Sequence, residues 1–207
     1  MTWAFNNLDR LLQALGQHVM LVGIALVLSL AIAVPLGIWA ARAPRAMFVI
    51  LAITGLLYTI PALALFALMI PIVGLGPVPA VTAIVLYSLL VLVRNVATGI
   101  RGVPPDVIEA ANGMGFGPWR RLVRIELPLA MPVIVAGIRI TAVMQIAVAT
   151  VAAFIAAGGL GELIFQGISE ASDEKLLAGA VTASLLAVAT DEALRLFERR
   201  LRAAQAD

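Results

Sequence analysis

The chain has 207 residues, of which 62% are hydrophobic and 13% are charged, and it contains no cysteine. A soluble domain carries about a quarter charged residues, so this composition excludes that class and indicates an integral membrane protein. The formal net charge of +2, with no basic run interleaved with aromatic residues, excludes a nucleic-acid-binding protein.

The N-terminal segment, residues 1–18, is predicted to be an interfacial helix that leads into the bilayer. It has neither a basic region nor a small-residue cleavage site, so we do not expect a removable signal peptide. Its leucines recur at helical spacing, with polar residues on the other faces. His18 ends the segment with no His, Cys or acidic residue close to it. We therefore expect His18 to be an interface residue rather than a ligand.

Five apolar runs follow, and each is long enough to cross a bilayer, which takes about 20 helical residues. They are expected to be helices because a backbone in lipid must satisfy its own hydrogen bonds. The sequence thus predicts an all-α membrane protein with a single domain over residues 1–207. The predicted spans are residues 19–41, 46–70, 78–100, 129–157 and 176–197.

Basic residues are distributed unequally between the two sides of the predicted bundle. One side has only Arg10 and Lys175. Loops on the cytoplasmic side carry the excess of Lys and Arg, so the N-terminus is expected outside and the C-terminus inside. The other side has nine: Arg42, Arg45, Arg101, Arg120, Arg121, Arg124, Arg199, Arg200 and Arg202.

The second predicted span contains a polar patch. Tyr58 and Thr59 come just before Pro61, close to the middle of the span. Proline interrupts the helical hydrogen-bond ladder. We therefore expect the helix to bend at Pro61 and to present a polar surface there.

Residues 104–128 form a charged island between the third and fourth spans. Pro105 is expected to begin a short helix with acidic residues in its first turn, which suits the helix dipole. A second short helix is predicted from Trp119 to Glu126, and Pro128 is expected to end it. Three glycines separate the two helices and give the turn its freedom: Gly113, Gly115 and Gly117.

The spacing in this island resembles the EAA loop of permease subunits of ABC importers. Three residues separate Glu109-Ala110-Ala111 from Gly115, nine separate Gly115 from Ile125, and one separates Ile125 from Leu127-Pro128. In that family the loop is cytoplasmic, and its helix docks into a groove on a partner that hydrolyses ATP. A solvated linker would not need the small alanines, which let another surface approach the helix backbone. The implied coupling residues are Glu109, Ala110, Ala111, Gly113, Gly115 and Gly117.

The flanking segments resemble the permeases of osmoprotectant importers, from LLYTIPALALFALMIPIVGLG in the second span to AAFIAAGGLGELIFQGI after the fourth. The resemblance implies a path for glycine betaine, choline or carnitine across a bacterial cytoplasmic membrane. It implies as partners ABC ATPase subunits, a second permease subunit in a homodimer or heterodimer, and an external substrate-binding protein. Candidate residues for the path are Tyr58, Pro61, Tyr87 and Gln145.

The resemblance also implies that the chain is not an enzyme and carries no cofactor, because ATP and magnesium are bound by the partner. The sequence agrees, since the phosphate-binding pattern GxxxxGK[ST] does not occur. Two alternatives remain. One is the permease of a methionine or other amino-acid importer. The other is an ion-driven secondary transporter, against which the absence of an intramembrane acid network and of an internal repeat argues.

Arg139 lies in the fourth predicted span, about 10 Å inside its cytoplasmic end at a rise of about 1.5 Å per residue. A charge at that depth is costly and usually pairs or faces the protein interior. Asp191 enters the fifth span from the same side. We therefore predict an ion pair between Arg139 and Asp191, with Glu192 as the other candidate partner. The alternative is that Arg139 extends to the headgroups or to loop carbonyls.

Overall fold

The computed structural model describes residues 2–203, and the side chains of all of them except Thr2 and Arg202. Helices dominate, and no strand occurs within that range. The coarse prediction of an all-helical protein is thus confirmed. The helices are α1 Thr2–Asn6, α2 Leu8–Arg42, α3 Pro44–Thr59, α4 Ala62–Val73, α5 Pro77–Arg101, α6 Pro105–Gly113, α7 Pro118–Arg121, α8 Leu127–Val151, α9 Leu160–Ser169 and α10 Asp173–Ala203.

Proline marks where many of these helices begin. It occupies the first position of α3, α5, α6 and α7. That position needs no intrahelical N–H donor, and the fixed φ of proline suits the first turn. The same residue type that interrupts helices therefore also sets their start points along this chain.

Four helices between residues 2 and 203 are individually long and apolar enough to cross a membrane: Leu8–Arg42, Pro77–Arg101, Pro118–Ile155 and Asp173–Leu201. The second predicted span corresponds to α3 and α4, whose axes differ by 97°. At about 1.5 Å per residue, the 12 residues of α4 extend only about 18 Å, which is less than a bilayer core of about 30 Å. The number of spans reaches five only when this bent pair is counted as one.

The bend between α3 and α4 lies at Pro61, as predicted, but it splits the span instead of kinking it. Proline restricts the residue before it to an extended conformation, and Ile60 has φ −68° and ψ 126°. Pro61 also lacks an N–H for the ladder. The second predicted span, residues 46–70, thus consists of two helices, which meet at the proline where a kink or a helix end was predicted.

Helix α2 runs without a break through the predicted boundary at residue 18. The segment before the first span is thus not a separate interfacial helix, and only α1 is a distinct element there. His18 is 1% exposed, and its Nε2 lies 3.2 Å from the carbonyl oxygen of Ile146. His18 is therefore a core residue, contrary to prediction, because α2 continues through this position and brings the imidazole ring against α8.

Pro128 does not end the helix that begins at Pro118. A wide π-helical turn occupies Leu122–Glu126, and α8 follows it directly. In this turn Leu127 donates its N–H to the carbonyl oxygen of Leu122, five residues back. Such a turn contains one residue more than a regular α-helical turn, and the helix continues beyond it. The prediction of a separate helix over 119–126 is therefore wrong.

Helix α5 is the centre of the bundle, with α2, α3 and α8 packed around it. Its residues Ile84, Leu92, Val93 and Val96 are essentially without exposed surface. Gly37 of α2 faces Val96 so closely that a Cβ there would lie 2.5 Å from the Val96 Cβ. The contact of α2 with α5 therefore depends on a small residue.

The two ends of the bundle differ in character. The loop end, where α5 leads into α6, contains Arg42, Arg101 and Glu126. At the far end, the residues that precede α5 and α9 donate hydrogen bonds to neighbouring helical segments. There the N–H of Gly76 donates to the carbonyl oxygen of Ile155 over 2.7 Å. The N–H of Gly159 donates to Oε1 of Gln17 over 3.1 Å.

Candidate functional site

Helix α6 projects the predicted coupling residues at the loop end. Glu109 and Ala110 are exposed. Ala111 is fully buried, so it serves the packing of the loop and not the partner surface that the sequence predicted. The turn after α6 folds back toward Ala111, and the N–H of Phe116 donates to the carbonyl oxygen of Ala111 over 3.0 Å. The small side chain of Ala111 leaves room for this turn.

Of the three predicted hinge glycines, only Gly115 has a conformation that requires glycine. Its φ is +78°, and its N–H donates to the carbonyl oxygen of Asn112 over 3.0 Å. Gly113 belongs to α6, and Gly117 has φ −68° and ψ 161°, which any residue adopts. A Cβ at Gly115 would meet no atom within 4 Å. A side chain there is therefore opposed by backbone strain and not by a clash.

Two large apolar side chains on the loop were not anticipated. Met114 and Trp119 are 68% and 75% exposed. Arg120 covers the ring of Phe116, with its guanidinium carbon 4.8 Å from the ring centroid. The available signal was the presence of Met and Trp within an otherwise polar island, since exposed apolar groups often mark contact surfaces.

A buried carboxylate joins the predicted coupling segment, residues 104–128, to the bundle. The side chain of Glu126 is 4% exposed. Its Oε2 lies 2.9 Å from Nη2 of Arg42, and its Oε1 lies 2.7 Å from Nε of Arg121. Arg121 also donates from Nη1 to Oδ1 of Asn112 over 2.6 Å. This group was not predicted, and its only signal in the sequence is an acidic residue between two apolar ones.

Three of the four predicted path residues lie together at the α3–α4 bend. Tyr58 is 41% exposed, and its ring centroid is 5.6 Å from that of the nearly buried Tyr87, at an interplanar angle of 53°. Pro61 is exposed beside them. Gln145 is not part of this surface, because it is fully buried and donates to two buried serine hydroxyls. These are Ser29 at 3.1 Å and Ser88 at 2.7 Å.

The structure brings Arg139 to two carboxylates on α10. Its Nε lies 3.0 Å from Oδ1 of Asp191, the first of the two predicted partners. Its Nη1 donates to Oε2 of Glu198 over 3.0 Å. Glu192 contacts Arg195 instead. Glu198 was missed although it follows Asp191 by seven residues, a spacing that places both on one helical face.

The side chains described above can contact a partner protein or hold neighbouring side chains in position. The loop end offers an exposed helix, and the carboxylates that the structure buries face guanidinium groups. Within residues 2–203, no three His, Cys, Asp or Glu side chains are grouped so that they could hold a metal ion.

Comparison with known proteins identifies the family. A family model described as "Binding-protein-dependent transport system inner membrane component" matches residues 33–203. The chain is 38% identical over 201 residues to the glycine betaine/carnitine/choline transport system permease protein OpuCB of Bacillus subtilis, covering 97% of this chain and 93% of that protein. It is 44% identical over 194 residues to the osmoprotectant import permease protein OsmW of Salmonella typhimurium, covering 91% and 90%.

Solved structures show the same fold. Two inward-facing crystal forms of the MetNI methionine ABC transporter superpose on this chain with TM-scores of 0.82 and 0.85. Both are 20% identical in sequence, and they cover 89% and 94% of this chain and 93% and 97% of theirs. With a family model over most of the chain and relatives similar over nearly their whole length, the chain belongs to the family of inner-membrane permease components of binding-protein-dependent transport systems.

Proposed function

We propose that this permease forms the path for a small osmoprotectant, such as glycine betaine, choline or carnitine, in an importer driven by a separate ATPase. The observation that carries the substrate class is the identity of 38–44% to permeases named for these compounds. The methionine transporter structures, at 20% identity, support the fold alone and do not decide the substrate. An amino-acid importer with a permease of the same fold is the second candidate.

The ATPase contact of this proposal is the exposed part of the coupling segment. Glu109 and Ala110 form the surface of α6, and Met114 adds apolar area at its end. The ATPase binds ATP and magnesium, and its closure on ATP moves α6. In this proposal the loop end lies in the cytoplasm and the N-terminus lies outside, an orientation that the distribution of basic residues favours.

Two further partners complete the proposed importer. A second permease subunit, either another copy or a related chain, forms the path together with the single domain of residues 1–207. An external binding protein delivers the substrate on the far side. Along the path, the exposed face of Tyr58 beside Pro61 offers an aromatic surface to a quaternary ammonium cation, with Tyr87 behind it.

Replacing Gly115 by valine is expected to uncouple transport from ATP hydrolysis while the membrane helices stay folded. Valine is strained at the φ of +78° that the turn after α6 requires, so α6 would be presented at a wrong angle. The measurement is ATP-dependent uptake of radiolabelled glycine betaine into proteoliposomes that contain the permease, its ATPase and its binding protein. Strain of this kind costs about 1–3 kcal/mol, which corresponds to a factor of about 5 to 150, so we expect uptake to fall at least about fivefold.

Gly117→Val is the matched control, because Gly117 has an extended conformation and open space for a Cβ. It should transport within about twofold of the unmodified protein. Normal uptake by the Gly115→Val transporter would contradict the role of this turn. Uptake of methionine but not of betaine by the unmodified transporter would favour the second candidate.

The proposal also predicts where ATP binds in the assembled transporter. A photoreactive ATP analogue should label the ATPase subunit and leave this chain unlabelled, since the chain lacks a phosphate-cradling loop. Mass spectrometry of the separated subunits measures the label. Stoichiometric labelling of this chain, competed by unlabelled ATP, would show that the assignment of ATP to the partner is wrong.

A further inference from the structure

We propose that Asn112, Arg121 and Glu126 are positioning residues that carry the movement of α6 to the corner between α2 and α3. This inference rests on the proposed function, in which an ATPase moves α6. It adds the route by which that movement reaches the membrane helices. The route is a continuous series of side-chain contacts from α6 to the last residue of α2.

The first step concerns how α6 is held. Ala111 is the one fully buried residue of α6, and Val107 and Ile108 are half-buried, so little apolar packing holds the helix. Asn112 is exposed, and its Oδ1 accepts a hydrogen bond of 2.6 Å from Nη1 of Arg121. The donor is charged, and such bonds are about twice as strong as neutral ones. Arg121 therefore follows α6 when the helix moves.

The second step passes through Glu126. The Nε of the same guanidinium donates to Oε1 of Glu126 over 2.7 Å. The carboxylate is nearly buried, where leaving a charge without a partner is costly. Arg121 and Glu126 therefore move together, and the planar guanidinium fixes their relative orientation because it holds Asn112 on another nitrogen.

The third step reaches the transmembrane helices. The second oxygen of Glu126 accepts a hydrogen bond of 2.9 Å from Arg42, the last residue of α2. Helix α3 begins two residues later at Pro44, and it ends at the bend beside Tyr58. Arg101 of α5 donates from Nε to the carbonyl oxygen of Ala41 over 3.2 Å. The corner is thus tied both to the coupling segment and to the central helix.

If these contacts only hold the structure together, they predict a different result from a relay, meaning contacts that transmit the movement of α6 to the corner between α2 and α3. Static contacts would lower stability or assembly, and would reduce ATP hydrolysis and transport in proportion. A relay sets how much substrate moves for each ATP hydrolysed. The ratio of substrate imported to ATP hydrolysed therefore separates the two roles, and a route of this kind needs direct evidence of coupling.

The experiment measures that ratio in proteoliposomes with the complete transporter, using radiolabelled glycine betaine and phosphate release. Asn112→Ala should lower the ratio at least about fivefold, the lower end of typical coupling effects between sites. Asn112→Asp keeps an acceptor oxygen for Arg121 and should stay within about twofold of the unmodified transporter. Arg121→Gln should resemble Asn112→Ala, and the double variant should be no worse than the worse single one.

Controls make each outcome decisive. Glu170→Gln alters an exposed carboxylate paired with Lys175, away from this route, and should leave the ratio unchanged. Glu109→Lys tests the proposed coupling helix itself. An unchanged ratio for Asn112→Ala, or additive effects of Asn112→Ala and Arg121→Gln, would overturn the relay while Glu109→Lys still uncouples. If Glu109→Lys also transports normally, the proposed coupling function fails and the relay with it.

Discussion

Replacing Gly161 by valine is expected to lower the thermal stability of the chain more than any other single change considered. A Cβ at Gly161 would lie 1.9 Å from the carbonyl oxygen of Thr150, and 2.7 Å from its carbonyl carbon. These are backbone atoms near the end of α8, so the start of α9 would have to move away. Overpacking against movable side chains costs about 1–3 kcal/mol, and a backbone clash should exceed the upper value.

At about 3 kcal/mol, the midpoint temperature of unfolding should fall by roughly 6–12 °C for a chain of this length. The measurement is the fraction of purified protein that stays monodisperse in detergent after heating. Gly23→Val is the matched control, because Gly23 lies inside α2 with nothing within 4 Å of a Cβ. Equal midpoints for the two variants would show that α9 is free to shift away from α8.

Replacing Arg139 by leucine is expected to destabilise the contact between α8 and α10 by about 1.5–3 kcal/mol, the range for hydrogen bonds to charged groups. The guanidinium contacts both Asp191 and Glu198. Glu198 is 7% exposed, so losing this contact removes an opposite charge from a nearly buried carboxylate. The same heating experiment measures the effect.

Arg195→Leu serves as the control, because Arg195 and its partner Glu192 are both substantially exposed, and such pairs contribute about 1 kcal/mol or less. A second test exchanges the charges of Arg139 and Asp191. The double variant should be more stable than the Arg139→Asp variant, which brings three carboxylates together. If it is no more stable than that variant, the contact does not hold α8 and α10 together.

Much of the helical layout follows from apolar runs and proline positions, but the bends do not. Pro61 marks where the second span is interrupted, because proline affects its neighbour locally. The angle of 97° depends on how α4 packs against α5 and cannot be read from the residues at the bend. Pro128 shows the opposite case. It looked like a helix end, yet a wide turn before it lets the helix continue.

Some features of the candidate site could likewise be predicted from the sequence, and others could not. The EAA spacing predicts the coupling segment, and the structure shows Glu109 and Ala110 exposed on it. The burial of Ala111 and Gln145 was not predictable, because a small or polar residue within a span suits a core and a transport path equally well. Glu126 was missed because its partner Arg42 is 84 residues away in sequence.

The wide turn at Leu122–Glu126 also determines the angular position of α7 around the axis of α8. One residue of an α-helix corresponds to a rotation of about 100°, and a π-helical turn contains one residue more than a regular turn. Without that extra residue, α7 would be rotated by roughly this angle, and Arg121 would point away from Glu126, which it contacts here. The irregular turn thus sets the rotational register of the coupling segment relative to the membrane helices.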